Sequence, residues 1–371
     1  MKSYVLKALI VSFLFINSFG YSNNSPKKQT VKVALLLDTS NSMDGLINQA
    51  KAQLWEIVNE LSYAKYNGVT PNLEIALYEY GNDRLSAKNG YIRKVLHFTN
   101  DLDDISERLF SLTTNGGSEY CGEVIQTSLN ELEWGKERND LKMIFIAGNE
   151  PFTQGNTYYK DAITNAKEKG IVVNTIFCGD YQNGISGSWK DGAVLGNGDY
   201  MTINHNKNIV HIVTPYDKDI LILNKKLNGT YIYYGNKGFS KYNKQSLQDD
   251  NAAALNEEVV VKRAVTKSSK LYSNAEWDLV DASSNKKMDY RKLKKSKLPK
   301  HLQNKSEKEL KAYVEKKRTE RARIQKKIQE LNKKRKIYVA TKRSKNDKKN
   351  ELESVMIKAI KKQAKKKNYT W

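Results

Sequence analysis

The sequence predicts an α/β fold in which a doubly wound, mostly parallel sheet of about six strands is flanked by helices and followed by a long, basic helical tail. Two observations lead to this prediction. From residue 31 to about residue 235, short apolar runs alternate with amphipathic helical stretches, which is typical of a mostly parallel sheet covered on both faces. From residue 286 onward, lysine and arginine dominate the composition, so the tail differs in kind from the domain.

The first twenty residues have the layout of a cleaved secretory signal. Lysines at positions 2 and 7 precede the apolar stretch from Ala8 to Ile16, and a small-residue ending follows at residues 18–20. This apolar stretch is too short to span a bilayer. We therefore expect export to the periplasm or the cell surface, with no transmembrane span after cleavage. Retention as a signal anchor is the alternative.

The domain predicted over residues 31–235 begins with VKVALLLD at residues 31–38. This near-continuous apolar run is typical of a central parallel strand, and the next segment, 43–64, carries apolar residues at helical spacing. The same patterns predict the remaining elements. Strands are expected at residues 72–81, 91–99, 141–151, 171–179 and 200–204, and helices at 102–113, 123–134, 158–169 and 215–227, the last with Thr214 as its N-cap. The glycine-rich stretch 186–199 is predicted to be a long loop anchored by Trp189.

Residues 236–300 are predicted to form a helical extension without a core of its own. The stretch 248–272 is expected to be a helix, and 274–282 is expected to pack back onto the domain.

The tail, residues 301–371, accounts for the basic character of the chain. Of the 63 Lys and Arg residues, 33 lie in 286–371 with only 9 of the 41 Asp and Glu residues, so that segment carries +24 and the rest −2. Steps of four and three from Leu310 to Tyr338 trace a heptad seam, and 351–367 is a second basic amphipathic stretch. We expect self-association through 310–338 or contact with anionic envelope material, rather than specific nucleic-acid binding; a merely solvated face is the alternative.

Three oxygen-bearing side chains follow the first strand. In a doubly wound sheet, ligands bind beyond the carboxyl ends of the strands, and Asp38 occupies that position. One carboxylate and the hydroxyls of Ser40 and Ser42 suit Mg²⁺, which takes oxygen ligands and keeps several waters. The alternative is a polar turn in which a serine caps the helix and Asp38 binds backbone amides.

At this motif the sequence resembles the von Willebrand factor type A (vWA) domains, whose metal ion-dependent adhesion site is built on D-x-S-x-S. The resemblance covers roughly residues 31–235 and includes LLLDTSNSM, TTNGGSEYCG, IFIAGNEP and NTIFCG. It implies a vWA fold and a bound Mg²⁺ or Mn²⁺ that captures an acidic side chain of a protein partner. Most family members are binding modules and not enzymes.

The resemblance also implies a ligand set. Asp38, Ser40 and Ser42 match the family motif, and the second-loop hydroxyl falls at Ser118, with Glu119 beside it as a further oxygen ligand. The third-loop aspartate is absent, because Gly148 stands there. Glu119 is expected to replace that acid in preference to Glu150.

The chain has two cysteines, Cys121 and Cys178. Export permits a disulfide between them, and both are expected at the same edge of the sheet. A bridge there would hold the loop of Ser118 and Glu119, whereas two buried thiols are the alternative.

These observations predict an exported vWA-type module for protein–protein adhesion or scaffolding, with a polybasic helical tail. The alternative is an accessory subunit or hydrolase acting on envelope material. No nucleophile–base pair or acid pair can be named in the sequence to support it.

Overall fold

A computed structural model of the chain describes residues 28–204, 212–284, 288–342 and 352–371. The predicted signal segment, residues 1–20, lies outside this part of the chain. Residues 31–204 form most of a three-layer α/β domain, in which helices cover both faces of one sheet.

The sheet has six strands in the order β4-β3-β1-β5-β6-β7. All neighbouring pairs are parallel except β3 and β4, which run antiparallel at one edge. The predicted fold class is thereby confirmed. The strands are β1 (Thr30–Asp38), β3 (Asn72–Tyr80), β4 (Ile92–Thr99), β5 (Leu141–Gly148), β6 (Val172–Phe177) and β7 (Asn197–Thr202), and a two-stranded sheet joins β2 (Lys65–Tyr66) to β8 (Tyr369–Thr370).

Strand β1 lies at the centre of the sheet because its side chains are apolar on both faces. Leu36 packs into the core on one face, and Leu37 packs into the core on the other. A strand with both faces buried must be hydrophobic throughout, which explains the unbroken apolar run.

The helices divide between these two faces. On the Leu37 face lie α1 (Asp44–Leu61), α2 (Leu102–Phe110), α7 (Asp217–Asn228), α9 (Glu257–Lys267) and α12 (Leu352–Lys365). On the Leu36 face lie α3 (Cys121–Glu131), α4 (Tyr159–Glu168) and α6 (Trp189–Leu195), and α5 (Tyr181–Ser186) contacts α6. The stretch predicted as a long loop is therefore helical at α6, although Trp189 is fully buried as an anchor.

The extension after the sheet contains two helices where the sequence predicted one over 248–272. The first is α8 (Gly238–Leu255), and α9 follows directly. Asn256 separates them, since its backbone is extended and its side chain accepts a hydrogen bond from the Val259 N–H as an N-cap. A buried ion pair then ties the helices together, because Arg263 on α9 binds Asp249 on α8 at 2.6 Å.

The long tail helix α11 (Glu307–Lys342) is present, but its seam is not free. Leu310 and Val314 pack near the short helix α10 (Leu279–Ala282), and Ile324 and Ile328 pack into the core shared with α7 and α9. The seam that was expected to mediate self-association is therefore covered by the chain's own helices. The basic residues within the seam explain why it packs against the chain's own helices, because Arg321 pairs with the buried Asp278 of the same chain.

The second basic stretch also packs back onto the domain. On α12, Leu352, Met356 and Ile360 are buried in the core beside α1. The carboxamide of Gln363 on this helix hydrogen-bonds to buried Asn174 of β6. The tail thus supplies one of the helices that cover the sheet. In the described ranges, no helix is both long and apolar enough to cross a membrane. The domain bounds 31–235, 236–300 and 301–371 stay predictions.

Candidate functional site

Asp38 ends strand β1 at the edge where β5 and β6 also end. Its side chain is fully buried, and its Oδ1 accepts a hydrogen bond from the Ser40 N–H at 2.7 Å. Its Oδ2 is buried with no hydrogen-bond partner among the described residues. An unsatisfied buried carboxylate oxygen is unfavourable, so this atom is a candidate ligand for a cation.

The two serines of the motif lie in the short 3₁₀ turn before α1. The Ser40 and Ser42 hydroxyl oxygens are 3.4 Å apart, and Ser42 Oγ accepts a hydrogen bond from Asn149 Nδ2 at 2.9 Å. Neither hydroxyl caps a helix, because the Ser40 side chain makes no cap bond and the residue preceding α1 is Met43. The alternative of a capping serine is therefore not what the structure has, although Asp38 does bind a backbone amide as that alternative proposed.

Glu119 brings a second carboxyl group to Asp38. It is buried at 4 % exposure, and a Cβ added to Gly81 would lie 2.8 Å from Glu119 Cγ and 2.9 Å from Asp38 Oδ1. The Asp38 and Glu119 side chains therefore both lie against Gly81 and leave no room for a Cβ there. Gly81 also has a φ of +78°, which favours glycine. Burial and the adjacent Glu119 carboxyl raise the pKa of Asp38 well above its usual value, and burial raises the pKa of Glu119. These shifts disfavour ionisation of both carboxyl groups at once unless a cation lies beside them.

Ser118 lies half-buried beside Glu119 in the loop before α3. The glycine pair 116–117 allows this loop to approach the end of β3, since a Cβ on Gly117 would lie 2.6 Å from the Gly81 carbonyl oxygen. The Gly116 carbonyl also accepts a hydrogen bond from the Asp83 N–H. The loop is thereby held at the site edge, as the resemblance implies.

The missing third-loop acid has a structural explanation in Tyr80. The hydroxyl of Tyr80 donates to the Ala147 carbonyl at 3.0 Å, and a Cβ on Gly148 would lie 2.6 Å from that hydroxyl oxygen. The same Cβ would also lie 3.1 Å from Asp38 Oδ2 and from the Trp189 ring. The space that an aspartate side chain would need is thus filled by two aromatic residues.

Two site residues were missed by the sequence analysis. Tyr80 reads as an ordinary strand residue, and nothing in its pattern indicates that it reaches Gly148. Asn149 offers a carboxamide oxygen, Oδ1, that is buried without a hydrogen-bond partner among the described residues. Asn149 directly follows Gly148, the position where the family has an acid, and that position could have indicated Asn149 as a site residue.

The other nearby acids have different surroundings. Glu150 is exposed and accepts a hydrogen bond from Gln154 Nε2 at 3.3 Å, so it is less enclosed than Glu119. Asp44 lies in the first turn of α1 and accepts a hydrogen bond from the Thr114 hydroxyl.

The expected disulfide between Cys121 and Cys178 is wrong, because both cysteines are free, buried thiols. Cys121 packs in the core of the Leu36 face and lies 3.8 Å from the Tyr80 hydroxyl, whereas Cys178 packs in the core of the Leu37 face. The two sulfurs share an edge of the sheet but lie on its opposite faces.

No group of three or more His, Cys, Asp or Glu side chains is arranged to hold a metal ion in the part of the chain that the structure describes. The site contains two such acids, Asp38 and Glu119, and its other donors are hydroxyl and carboxamide oxygens. Any cation bound here would therefore need neutral oxygen ligands and water.

Comparison with known proteins locates one family match. Residues 32–185 match the family profile described as von Willebrand factor type A domain. A comparison with curated proteins gave no match.

Among solved structures, the conserved hypothetical protein BatB from Bacteroides thetaiotaomicron is 18 % identical and aligns over 47 % of this chain and 90 % of its own, with a TM-score of 0.36. The pilus adhesin SpaC from Lactobacillus rhamnosus GG, in an open conformation, is 12 % identical over 48 % of this chain and 28 % of its own, with a TM-score of 0.36. Proximal thread matrix protein 1 from the mussel byssus is 14 % identical over 46 % of both chains, with a TM-score of 0.33.

Proposed function

We propose that the chain is a protein-binding module that works through a divalent cation. Residues 32–185 match the von Willebrand factor type A domain, and domains of this kind generally serve as interaction modules. The ligand set is Asp38, Ser40, Ser42, Ser118 and Glu119. The cation, Mg²⁺ or Mn²⁺, would capture an acidic side chain of the partner protein. The observation that carries the proposal is the buried, unpartnered Oδ2 of Asp38 beside a second buried carboxyl group.

The donor set fits a hard dication. Mg²⁺ prefers carboxylate, hydroxyl and water oxygens in octahedral geometry, and the site offers oxygens of these kinds. Asp38 and Glu119 together neutralise the charge of one dication, so Glu119 compensates for the aspartate that Gly148 lacks. A bound cation would also oppose the effects of burial and of the adjacent Glu119 carboxyl, which together raise the pKa of Asp38.

The remaining elements of the proposal concern location and the tail. We propose export, with the signal segment removed, and contact between the exposed basic face of α11 and anionic envelope material. Burial of the apolar seam against the domain leaves a row of exposed lysines on the outer face, which supports electrostatic contact rather than seam pairing. These lysines include Lys311, Lys316, Lys326, Lys327, Lys333 and Lys334.

Isothermal titration of Mg²⁺ and Mn²⁺ into the full chain tests the metal site. We expect saturable uptake of one cation by the wild type and a loss of at least about 100-fold in affinity for Asp38→Asn, which keeps the shape but removes the charge. The matched control is Asp161→Asn, an exposed acid on α4, and it should bind like the wild type. No uptake by the wild type, or equal uptake by Asp38→Asn, would contradict the proposal.

Capture of an acidic group is tested separately with Mn²⁺-loaded protein. Water-proton relaxation reports the waters on bound Mn²⁺, and a glutamate-containing peptide that replaces one of them should lower the enhancement. The same peptide with glutamine should leave it unchanged. Equal effects of the two peptides would refute acid capture while leaving the metal site intact.

A further inference from the structure

A cavity lined by basic side chains lies at the edge of the sheet opposite the candidate functional site. It has a volume of about 470 Å³ and is found where β5 and β6 begin and where α4 and α12 end. We propose that this cavity, the basic cavity, binds a phosphate group. Its lining residues include Lys136, Arg138, Lys142, Lys169 and Lys367.

The charge of the cavity lining favours an anion. The five cationic side chains are opposed by two acids in the lining, Glu137 and Glu168. Two of the cations come from the loop before β5, one from β5, one from the end of α4 and one from beyond α12. The fold therefore gathers charges from segments more than 200 residues apart in the sequence.

Three of the lysine ammonium groups donate hydrogen bonds to backbone carbonyls, which hold them in place. Lys367 donates to the carbonyls of Arg138 and Asp140 at 2.7 Å each, and Lys169 donates to the Leu129 carbonyl at 3.1 Å. Lys142 donates to the Gly135 carbonyl. A carbonyl orients an ammonium group without neutralising it, and each ammonium has three N–H donors. The lysines thus place positive charge at the basic cavity, and each keeps at least one N–H that can donate to an anion.

The buried lysine of the lining, Lys142, lies near Lys367, and the carboxyl group of Asp140 offsets part of the repulsion between the two. Lys142 is only 5 % exposed, and burial lowers its pKa. Burial and then the charge of Lys142 lower the pKa of Lys367. An anion between these two ammonium groups would oppose both effects, because an opposite charge favours the protonated form.

The chemistry of the donors selects phosphate among anions. A carboxylate has two acceptor oxygens in one plane, whereas a phosphate offers more oxygens in a tetrahedral arrangement and up to two negative charges. Lysines serve as point charges for phosphate, and the guanidinium of Arg138 can bind two of its oxygens side by side. The cavity volume also leaves room for a group esterified to the phosphate.

Isothermal titration calorimetry of inorganic phosphate into the full chain, at low ionic strength, tests this proposal. We expect saturable binding to the wild type, weakened about tenfold by Lys169→Gln and about tenfold by Arg138→Gln, since each removes one charge-assisted contact. Both side chains are exposed, so these variants preserve the core. The matched control, Lys218→Gln on α7, removes the same charge from an exposed site outside the cavity and should bind phosphate like the wild type.

Vesicles of phosphatidylcholine with and without phosphatidic acid distinguish a lipid headgroup from the free anion. Binding to the phosphatidic acid vesicles that is lost in Lys169→Gln and displaced by inorganic phosphate supports the cavity and assigns it to the headgroup. Saturable phosphate binding without vesicle binding supports the cavity and assigns it to a soluble phosphate. Absence of saturable phosphate binding, or equal weakening by Lys218→Gln, would overturn the proposal.

Discussion

Introducing the family's aspartate at position 148 should lower the free energy of unfolding and should not improve the metal site. The added Cβ would lie 2.6 Å from the Tyr80 hydroxyl oxygen, and Tyr80 is fully buried. Overpacking of this kind costs about 1–3 kcal/mol, and displacement of Tyr80 from the Ala147 carbonyl removes a hydrogen bond worth about 1 kcal/mol. Gly148→Ala should therefore lower the free energy of unfolding by about 2–4 kcal/mol.

Gly148→Asp should lower it further in the absence of metal. The new carboxylate would lie beside Asp38 Oδ2, which is 3.1 Å from the added Cβ, so a third acid would enter a buried pair that already resists ionisation. Replacing Tyr80 by phenylalanine in the same protein removes the clashing hydroxyl and should recover part of the loss. Mg²⁺ should stabilise the double variant more than Gly148→Asp alone.

Urea unfolding followed by tryptophan fluorescence, in EDTA and in Mg²⁺, measures these differences, because Trp189 packs against Gly148. Gly148 does not adopt a positive φ, so a loss in Gly148→Ala cannot be assigned to the backbone. A Gly148→Ala protein within about 0.5 kcal/mol of the wild type would refute the steric explanation. Gly148→Asp with wild-type stability in EDTA would refute the electrostatic one.

Three further outcomes follow from the packing of the tail and extension. Arg321→Met should lower the free energy of unfolding by about 3–5 kcal/mol, because it leaves the fully buried Asp278 unpaired; urea unfolding checks this, and a loss below 1 kcal/mol would contradict it. Burial raises the pKa of Asp249, but the charges of Lys267 and Arg263 together outweigh this and hold the pKa well below the unfolded value of 3.8. This contribution to stability should therefore be full above about pH 5 and lost progressively as the pH falls further. Stability measured against pH should show that loss reduced in Asp249→Asn. Deleting residues 352–371 should lower stability by roughly 5 kcal/mol or more, since three large apolar side chains lose their burial; an unchanged urea midpoint would show that α12 is dispensable.

The sheet was predictable because its signal is local. Each central strand is an apolar run of the right length, and β1 in particular must be hydrophobic on both faces. The tail was read less well for a physical reason. A heptad seam shows that one side of α11 is buried but does not indicate against what. The basic residues within that seam, Arg321 and Arg335, find acidic partners in distant segments, and such pairings cannot be read from periodicity.

The same distinction applies to the candidate functional site. Asp38, Ser40 and Ser42 are adjacent in the sequence, and their clustering at the carboxyl end of β1 follows from the strand–helix pattern. The cysteines were misread because a shared edge does not specify a shared face; adjacent residues of a strand point to opposite sides. The contact of Tyr80 with Gly148 joins β3 to β5 across β1, so only the assembled sheet reveals it.

The packing of α12 on α1 also constrains the order of folding. Glu60 near the end of α1 pairs with Lys361, 301 residues later, and its carbonyl accepts a hydrogen bond from the Trp371 indole, 311 residues later. At typical synthesis rates, a ribosome takes about 15–60 s to make 300 residues. During that interval the sheet face beside α1 has no α12 to cover it, and contacts of such long sequence separation form slowly once the chain is complete. The domain therefore completes its core only after residues 352–371 have been made, and until then the apolar side chains that α12 covers beside α1 stay uncovered.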